Sequence, residues 1–254
     1  MHSASSIGGT TRCPRCDDVV RIGNRKLTIA TIAWARSDAE AKALVRSVAR
    51  LAEAGIPIAI AVRGGNPRFA AALRRFAGVT VTVVAKQALV PQVQASLALA
   101  ATFNTPFILY AEPDKEELFA NRLRSFVERA PMDDAVGVVL ASRSPAAFDS
   151  FPPMQRYTEG VFNHLCGEVI GIPGDYSYGP FVMNRSLLAH VARLDPRLGW
   201  GWRPATFAAA HRQALKVVHL VDQHACPRDQ RSEDAAARAH RVRQLRENIM
   251  GLVP

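Results

Sequence analysis

The chain lacks most of the features that assign a sequence at a glance. Its 254 residues hold four cysteines, Cys13, Cys16, Cys166 and Cys226, too few and too scattered for a disulfide framework. Cys13 and Cys16 have the spacing of half a zinc ribbon, but Cys166 and Cys226 do not form the second close pair that such a site needs. Reduced thiols in a flexible N-terminal extension, residues 1–26, are the expectation. Long hydrophobic runs are missing: "TIATIAWA" and "AVGVVLA" fall well short of the roughly 20 residues of a membrane helix. The N-terminus has no apolar segment of the secretory kind, so the expected location is cytoplasmic. No G-x-G-x-x-G follows the first strand pattern, no Walker A lysine motif occurs, and no G-x-S-x-G elbow is present. A dinucleotide fold, a P-loop NTPase and a serine hydrolase of the elbow type are therefore unsupported. Basic charge is plentiful, at net +10, yet it never forms a run of five Lys or Arg. The sign suits an anionic partner: a nucleotide phosphate, nucleic acid or an anionic lipid surface. Without a nucleic-acid-binding signature, no nucleic acid is expected, while peripheral membrane contact stays open.

What is present is an alternation of two periods. "LTIATIAWA" (27–35), "IPIAIAV" (56–62), "VTVTVVA" (79–85), "TPFILYA" (105–111) and "AVGVVLASR" (135–143) are apolar, β-branched strand patterns. Helical patterns over 37–55, 66–78, 89–104 and 113–130 lie between them. Ser37 with Glu40 forms a capping box, and Gly55 provides a stop. Pro113 at the first position of the fourth helix and acids in its first turn mark its start. The spacing predicts an α/β layer structure with a mainly parallel sheet. After 143 the pattern is less regular, with a strand beginning at "FVM", a helix over "WRPATFAAAHRQAL", a strand "KVVHLV" and a long C-terminal helix. That helix places Val242, Leu245 and Ile249 on one face.

Ligands of open parallel sheets bind outside the carboxyl ends of the strands. Glu112 and Asp114 stand there, two residues apart, at the end of "FILYA". Such a pair suits Mg²⁺ or Mn²⁺ bridging two phosphates. It equally suits the acidic first turn of a helix. The turn "AVRGGNPRF" brings Arg63, Gly64 and Gly65 to the end of the second strand, where backbone amides can meet phosphate or base. Trp200 and Trp202 suit stacking on a sugar or ordinary core packing. Arg203 suits a diphosphate or an acid partner.

The order of these motifs resembles the GT-A glycosyltransferases, in particular the family 2 nucleotide-sugar-dependent group. An Ala-rich helix, a short turn and an apolar strand lead to Glu112-Pro113-Asp114 where that family has Asp-X-Asp. "GDYSYGPFVMNRSLL" looks like its acceptor segment. The resemblance spans roughly 27–224 and implies a Rossmann-type three-layer sandwich. Residues 27–254 would then form one domain, with a nucleotide half over 27–143 and an acceptor half with the C-terminal helix over 144–254. It implies a divalent cation on Glu112, Asp114 and a histidine near the last strand, His219 ahead of His224. It implies a nucleotide-sugar donor on Arg63, Gly64, Gly65, Glu112, Asp114 and Arg203, and an acceptor that is a carbohydrate, a lipid or a small molecule. Tyr176, Tyr178, Trp200 and Trp202 would shape the sugar and acceptor pocket. The sequence departs from the family twice. The acidic base-holding turn is replaced by "AVRGGNPRF", and the acidic pair of inverting members by "GWGWRP". Asp175 would supply the base if the enzyme inverts, and a retaining enzyme would need none. The alternative is a non-catalytic α/β protein: a basic binder of nucleic acid or phosphorylated ligands, or a degenerate transferase acting as a scaffold.

Overall fold

The structure is a computed structural model, and residues 27–64, 66–85 and 88–253 are described. The cysteine pair and Gly65 lie outside the described residues. Seven strands, β1 (Leu27–Ala33), β2 (Ile58–Arg63), β3 (Val79–Val84), β4 (Phe107–Tyr110), β5 (Val136–Arg143), β6 (Phe181–Asn184) and β7 (Lys216–Asp222), form one sheet. Ten α-helices alternate with them among the described residues: α1 (Asp38–Ala52), α2 (Pro67–Arg74), α3 (Leu89–Ala101), α4 (Glu116–Asn121), α5 (Leu123–Arg129), α6 (Pro145–Asp149), α7 (Pro153–Ile170), α8 (Leu188–Val191), α9 (Trp202–Arg212) and α10 (Ala235–Met250). The strand order is β3-β2-β1-β4-β6-β5-β7, and only β6 runs antiparallel to its neighbours. All seven strand patterns of the sequence are present.

Period-two alternation divides the strands between two apolar layers. Ile29, Ala33 and Leu109 face a core shared with Leu51 of α1, Leu73 of α2 and Phe126 of α5. Ala30, Ile108 and Tyr110 face the other, shared with Leu97 of α3, Phe162 of α7 and Phe207 of α9. This is a helix–sheet–helix sandwich. Central strands buried on both faces need apolar residues at every position. β4 and β5 accordingly have none exposed, whereas β3 at the sheet edge is half open.

The sheet changes direction between β1 and β4, because β2 and β3 lie on one side of β1 and β4 on the other. A crevice at the carboxyl ends follows from that topology. The register Ala33↔Val62 and Ala30↔Tyr110 brings the ends of β1, β2 and β4 to one edge.

Candidate functional site

The chain leaves β4 through Ala111 into a turn rather than a helix. Lys115 N–H donates to Glu112 C=O at 3.3 Å, so Glu112-Pro113-Asp114-Lys115 is a β-turn with proline at its second position. The helix expected over 113–130 begins only at Glu116 and is broken at Arg122. The Arg122 guanidinium is held at 2.8 Å by Asp222 at the end of β7. Asp114 is consequently a solvent-exposed turn residue, not a helix-start acid.

Glu112 is different. It is buried, and neither carboxylate oxygen accepts a hydrogen bond among the described residues. Its one close cationic partner is Arg203 Nη1, at 3.5 Å. Burial pushes the Glu112 carboxyl up, against the opposing pull of Arg203 and Lys115. Gly179, at φ +129°, makes room for this carboxylate: a Cβ there would stand 2.6 Å from Glu112 Oε2. Arg203 is placed by "GWGWRP". Gly201 allows the end of α10 to approach backbone to backbone at Gly251, where a Cβ on either residue would collide. Trp202 then points into the core, fully buried against Tyr110 at 4.7 Å and Phe181 at 5.6 Å. The expectation that Trp202 stacks on a sugar is corrected: its faces are covered. Trp200 is half-buried and does line the cavity beside Arg203.

Asp175 is likewise corrected as a base. Its Oδ2 accepts from the Arg143 N–H at 2.9 Å and from Arg143 Nε at 2.7 Å. Its Oδ1 accepts from Arg143 Nη2, Asn163 Nδ2 and Ser177 Oγ at 2.9, 3.0 and 2.8 Å. Burial pushes its carboxyl up, but Arg143 and Ser177 outweigh burial and hold it well below the usual carboxylate range. A carboxylate so stabilised does not accept a proton near neutrality. Tyr176, fully buried with its hydroxyl on Ile172 C=O at 2.6 Å, is a core residue and not a pocket wall. Tyr178, half-buried, does line the site, with Lys115 Nζ 5.2 Å from its ring centre. Arg143, Glu159 and Arg241 were missed by sequence reasoning. The position of Arg143 at the carboxyl end of β5 was the one signal available.

The metal set Glu112, Asp114 and His219 is not brought together. His219 lies inside β7 with Nδ1 on Ser142 Oγ at 2.8 Å and its ring edge-on to Tyr176. Among the described residues, no group of three His, Cys, Asp or Glu stands ready to hold a metal. His224, just beyond β7, takes the better position. It stacks on Tyr178 with ring centres 4.5 Å apart and lines a cavity of about 30 Å³ with Asp114, Lys115 and Arg122. Both its ring nitrogens are buried without a hydrogen-bond partner among the described residues, and burial pushes its pKa down to about 4, so the imidazole is neutral. A neutral imidazole and an exposed carboxylate fit a divalent cation that takes its remaining ligands from phosphate and water. A second cavity of about 230 Å³ adjoins the first through Asp114, Lys115 and Tyr178. It is lined by Glu112, Arg143, Glu159, Arg203 and Arg241. At the end of β2, the Gly64 amide is engaged by Val84 C=O at 2.9 Å, so it is not a phosphate donor as expected.

A mixed, mostly parallel seven-stranded sheet of this order, flanked by helices on both faces, is the GT-A glycosyltransferase fold. Two solved structures of glucosyl-3-phosphoglycerate synthase from Mycobacterium tuberculosis share it. The one with Mg²⁺ and UDP superposes with a TM-score of 0.61 at 14% identity, over 90% of this chain and 78% of the other. The one with Mn²⁺, UDP-glucose and phosphoglyceric acid gives 0.59 at 15%, over 90% and 79%. A further mycobacterial protein gives 0.56 at 14%, over 90% and 74%. At these identities the likeness is one of fold. No protein-family model and no curated protein sequence matches the chain. No helix among the described residues is long and apolar enough to cross a membrane.

Proposed function

We propose that the protein is a nucleotide-sugar-dependent glycosyltransferase, with residues 27–254 acting as one catalytic domain. The observation that carries this reading is Asp114, after β4, and the neutral His224, after β7, lining one cavity at the carboxyl-end edge of a GT-A sheet, with both His224 nitrogens lacking a partner among the described residues. Asp114 and His224 would hold Mg²⁺ or Mn²⁺, and the bound cation supplies Lewis-acid neutralisation of a diphosphate leaving group. Lys115, half-buried beside Asp114, adds a second positive charge at the diphosphate. Arg203, steadied by Glu112 and by Tyr176 C=O at 3.2 Å, borders the place of the transferred sugar. Trp200 and Tyr178 give that place its apolar walls. Arg241, held by Gln155 at 2.8 Å, faces the larger cavity and favours a small acceptor bearing an anion. The acceptor named with one fold neighbour, phosphoglyceric acid, has that chemistry.

The test is calorimetric titration of UDP and GDP with and without Mn²⁺. Metal-dependent binding that is lost in both Asp114→Ala and His224→Ala supports the reading, and metal-independent binding in the wild type sinks it. One observation favours a second reading, a nucleotide-sugar binder without transfer: Glu112 and Asp175 both face arginines. Release of free sugar or formation of glycoside from UDP- or GDP-sugars would exclude it.

A further inference from the structure

One carboxylate of the C-terminal helix serves a backbone amide in a different part of the chain. Glu247 stands on α10 one turn beyond Arg243, the residue with which a surface glutamate would pair. Among the described residues it forms an ion pair with none of the four arginines of α10. Its Oε2 instead accepts the Trp200 backbone N–H at 2.9 Å. Both glycines of "GWGW" pack on this one residue. A Cβ on Gly199 would collide with the Glu247 carboxylate, and a Cβ on Gly201 with the Glu247 backbone carbonyl. Gly199 is also left-handed, at φ +56°, a conformation that glycine adopts freely. The turn that carries Trp200 is therefore shaped around Glu247. The same row of α10 continues into the site. Arg241 and Gln244, six and three residues before Glu247, are joined at 3.1 Å and line the cavity of about 230 Å³ together with Trp200 and Arg203.

We infer that Glu247 is a positioning residue. It fixes Trp200, and with it the start of α9 at Arg203, against the Arg241 face of α10, and so sets the fit of the cavity to the transferred sugar. This rests on the nucleotide-sugar reading above, in which Trp200 and Arg203 border that sugar. Glu247 stands outside the cavity lining and acts through the backbone of the turn. A glycine on either side of Trp200 gives that backbone little stiffness of its own. The hydrogen bond to the carboxylate is what holds the half-buried indole at one height on the wall. Binding groups work only when the residues behind them hold their geometry, and a wall displaced by about 1 Å loses discrimination. The cation cavity is lined by other elements, Asp114 after β4 and His224 after β7, so it does not depend on Glu247.

The experiment takes two readings from the wild type, Glu247→Ala and Glu247→Gln. The first needs no ligand. The chain has three tryptophans, so its proton–nitrogen correlation spectrum holds three indole N–H signals, and Trp200→Phe identifies one of them. Glu247→Ala should shift and broaden the Trp200 signal while that of the buried Trp202 keeps its place. Glu247→Gln retains an acceptor oxygen and should restore it. The second is titration of UDP, GDP, UDP-glucose and GDP-mannose, each with Mn²⁺. Glu247→Ala should weaken the sugar conjugate that the wild type binds by roughly three- to tenfold, the size of one lost hydrogen bond. It should leave the bare nucleotide unchanged, and Glu247→Gln should recover most of the loss. An unmoved Trp200 signal, a Trp202 signal displaced with it, or a conjugate affinity that is unchanged or falls equally with that of the nucleotide overturns the positioning role and leaves the cation site standing. A wild type that binds none of the four overturns the nucleotide-sugar reading, and the positioning role with it.

Discussion

Two buried carboxylates border the same end of the sheet and are treated oppositely. Asp175 is surrounded by donors from Arg143, Asn163 and Ser177 at 2.7–3.0 Å. Among the described residues the Glu112 side chain has no hydrogen-bond donor on either oxygen, and its ion pair with Arg203 is 3.5 Å long. Unsatisfied buried polar groups are costly, and folded proteins keep few of them. Asp175 is therefore scaffolding, while Glu112 keeps unmet acceptor capacity among the described residues. The same division recurs nearby: Arg143 is engaged by both Asp175 and Glu159 at 2.7 Å, while Arg203 Nε and both His224 nitrogens lack hydrogen-bond partners among the described residues. The network around Arg143 and Asp175 is complete, whereas Glu112 and His224 keep polar atoms without a hydrogen-bond partner among the described residues.

The largest effect expected from breaking this contrast is on stability. Asp175→Ala leaves the buried Arg143 guanidinium with one partner fewer and should cost about 3–5 kcal/mol, measured by denaturant unfolding. A variant as stable as the wild type would show that the network is not scaffolding. Next is the pH dependence. The folded protein holds the Asp175 carboxyl below its ordinary value of about 3.9, so its contribution is complete above about pH 4. It is lost as pH falls through the folded-state value. Asp175→Asn should lack this acid limb in melting curves taken down the pH scale, and a wild-type limb retained in the variant would assign it elsewhere. Glu112→Gln should cost far less than Asp175→Ala, about 1 kcal/mol or less, because no accepted hydrogen bond is removed. A cost equal to that of Asp175→Ala would erase the contrast. The smallest effect on stability belongs to Asp114→Ala, within about 0.5 kcal/mol, since the residue is exposed in a turn.

The strands were legible because each is a short β-branched run between turn residues, and their alternation with helices implied the sheet. The caps were legible where the partner is local, as at Ser37, which accepts from Glu40 N–H at 3.2 Å. What the sequence concealed depends on residues far apart. Nothing near Arg122 announces Asp222, whose carboxylate it meets at the point where the expected helix breaks. Glu112 gains its environment from Gly179 and Arg203, brought by β6 and α9. Asp175 is an ordinary loop acid until Arg143 is seen beside it. The two tryptophans of "GWGW" look alike in sequence. Only the close packing of Gly201 on Gly251 turns Trp202 inward and leaves Trp200 half-open. His219 and His224 differ by whether the chain is still in β7, a boundary that sequence patterns place only to within a few residues.

The most direct test of the account is the affinity of UDP and GDP, with and without Mn²⁺, for the wild type and Asp114→Ala, alongside their melting temperatures. The account predicts binding that requires the cation, disappears in the variant, and does so without a shift in melting temperature. A variant that binds nucleotide as the wild type does, or a wild type whose binding ignores the cation, would contradict it.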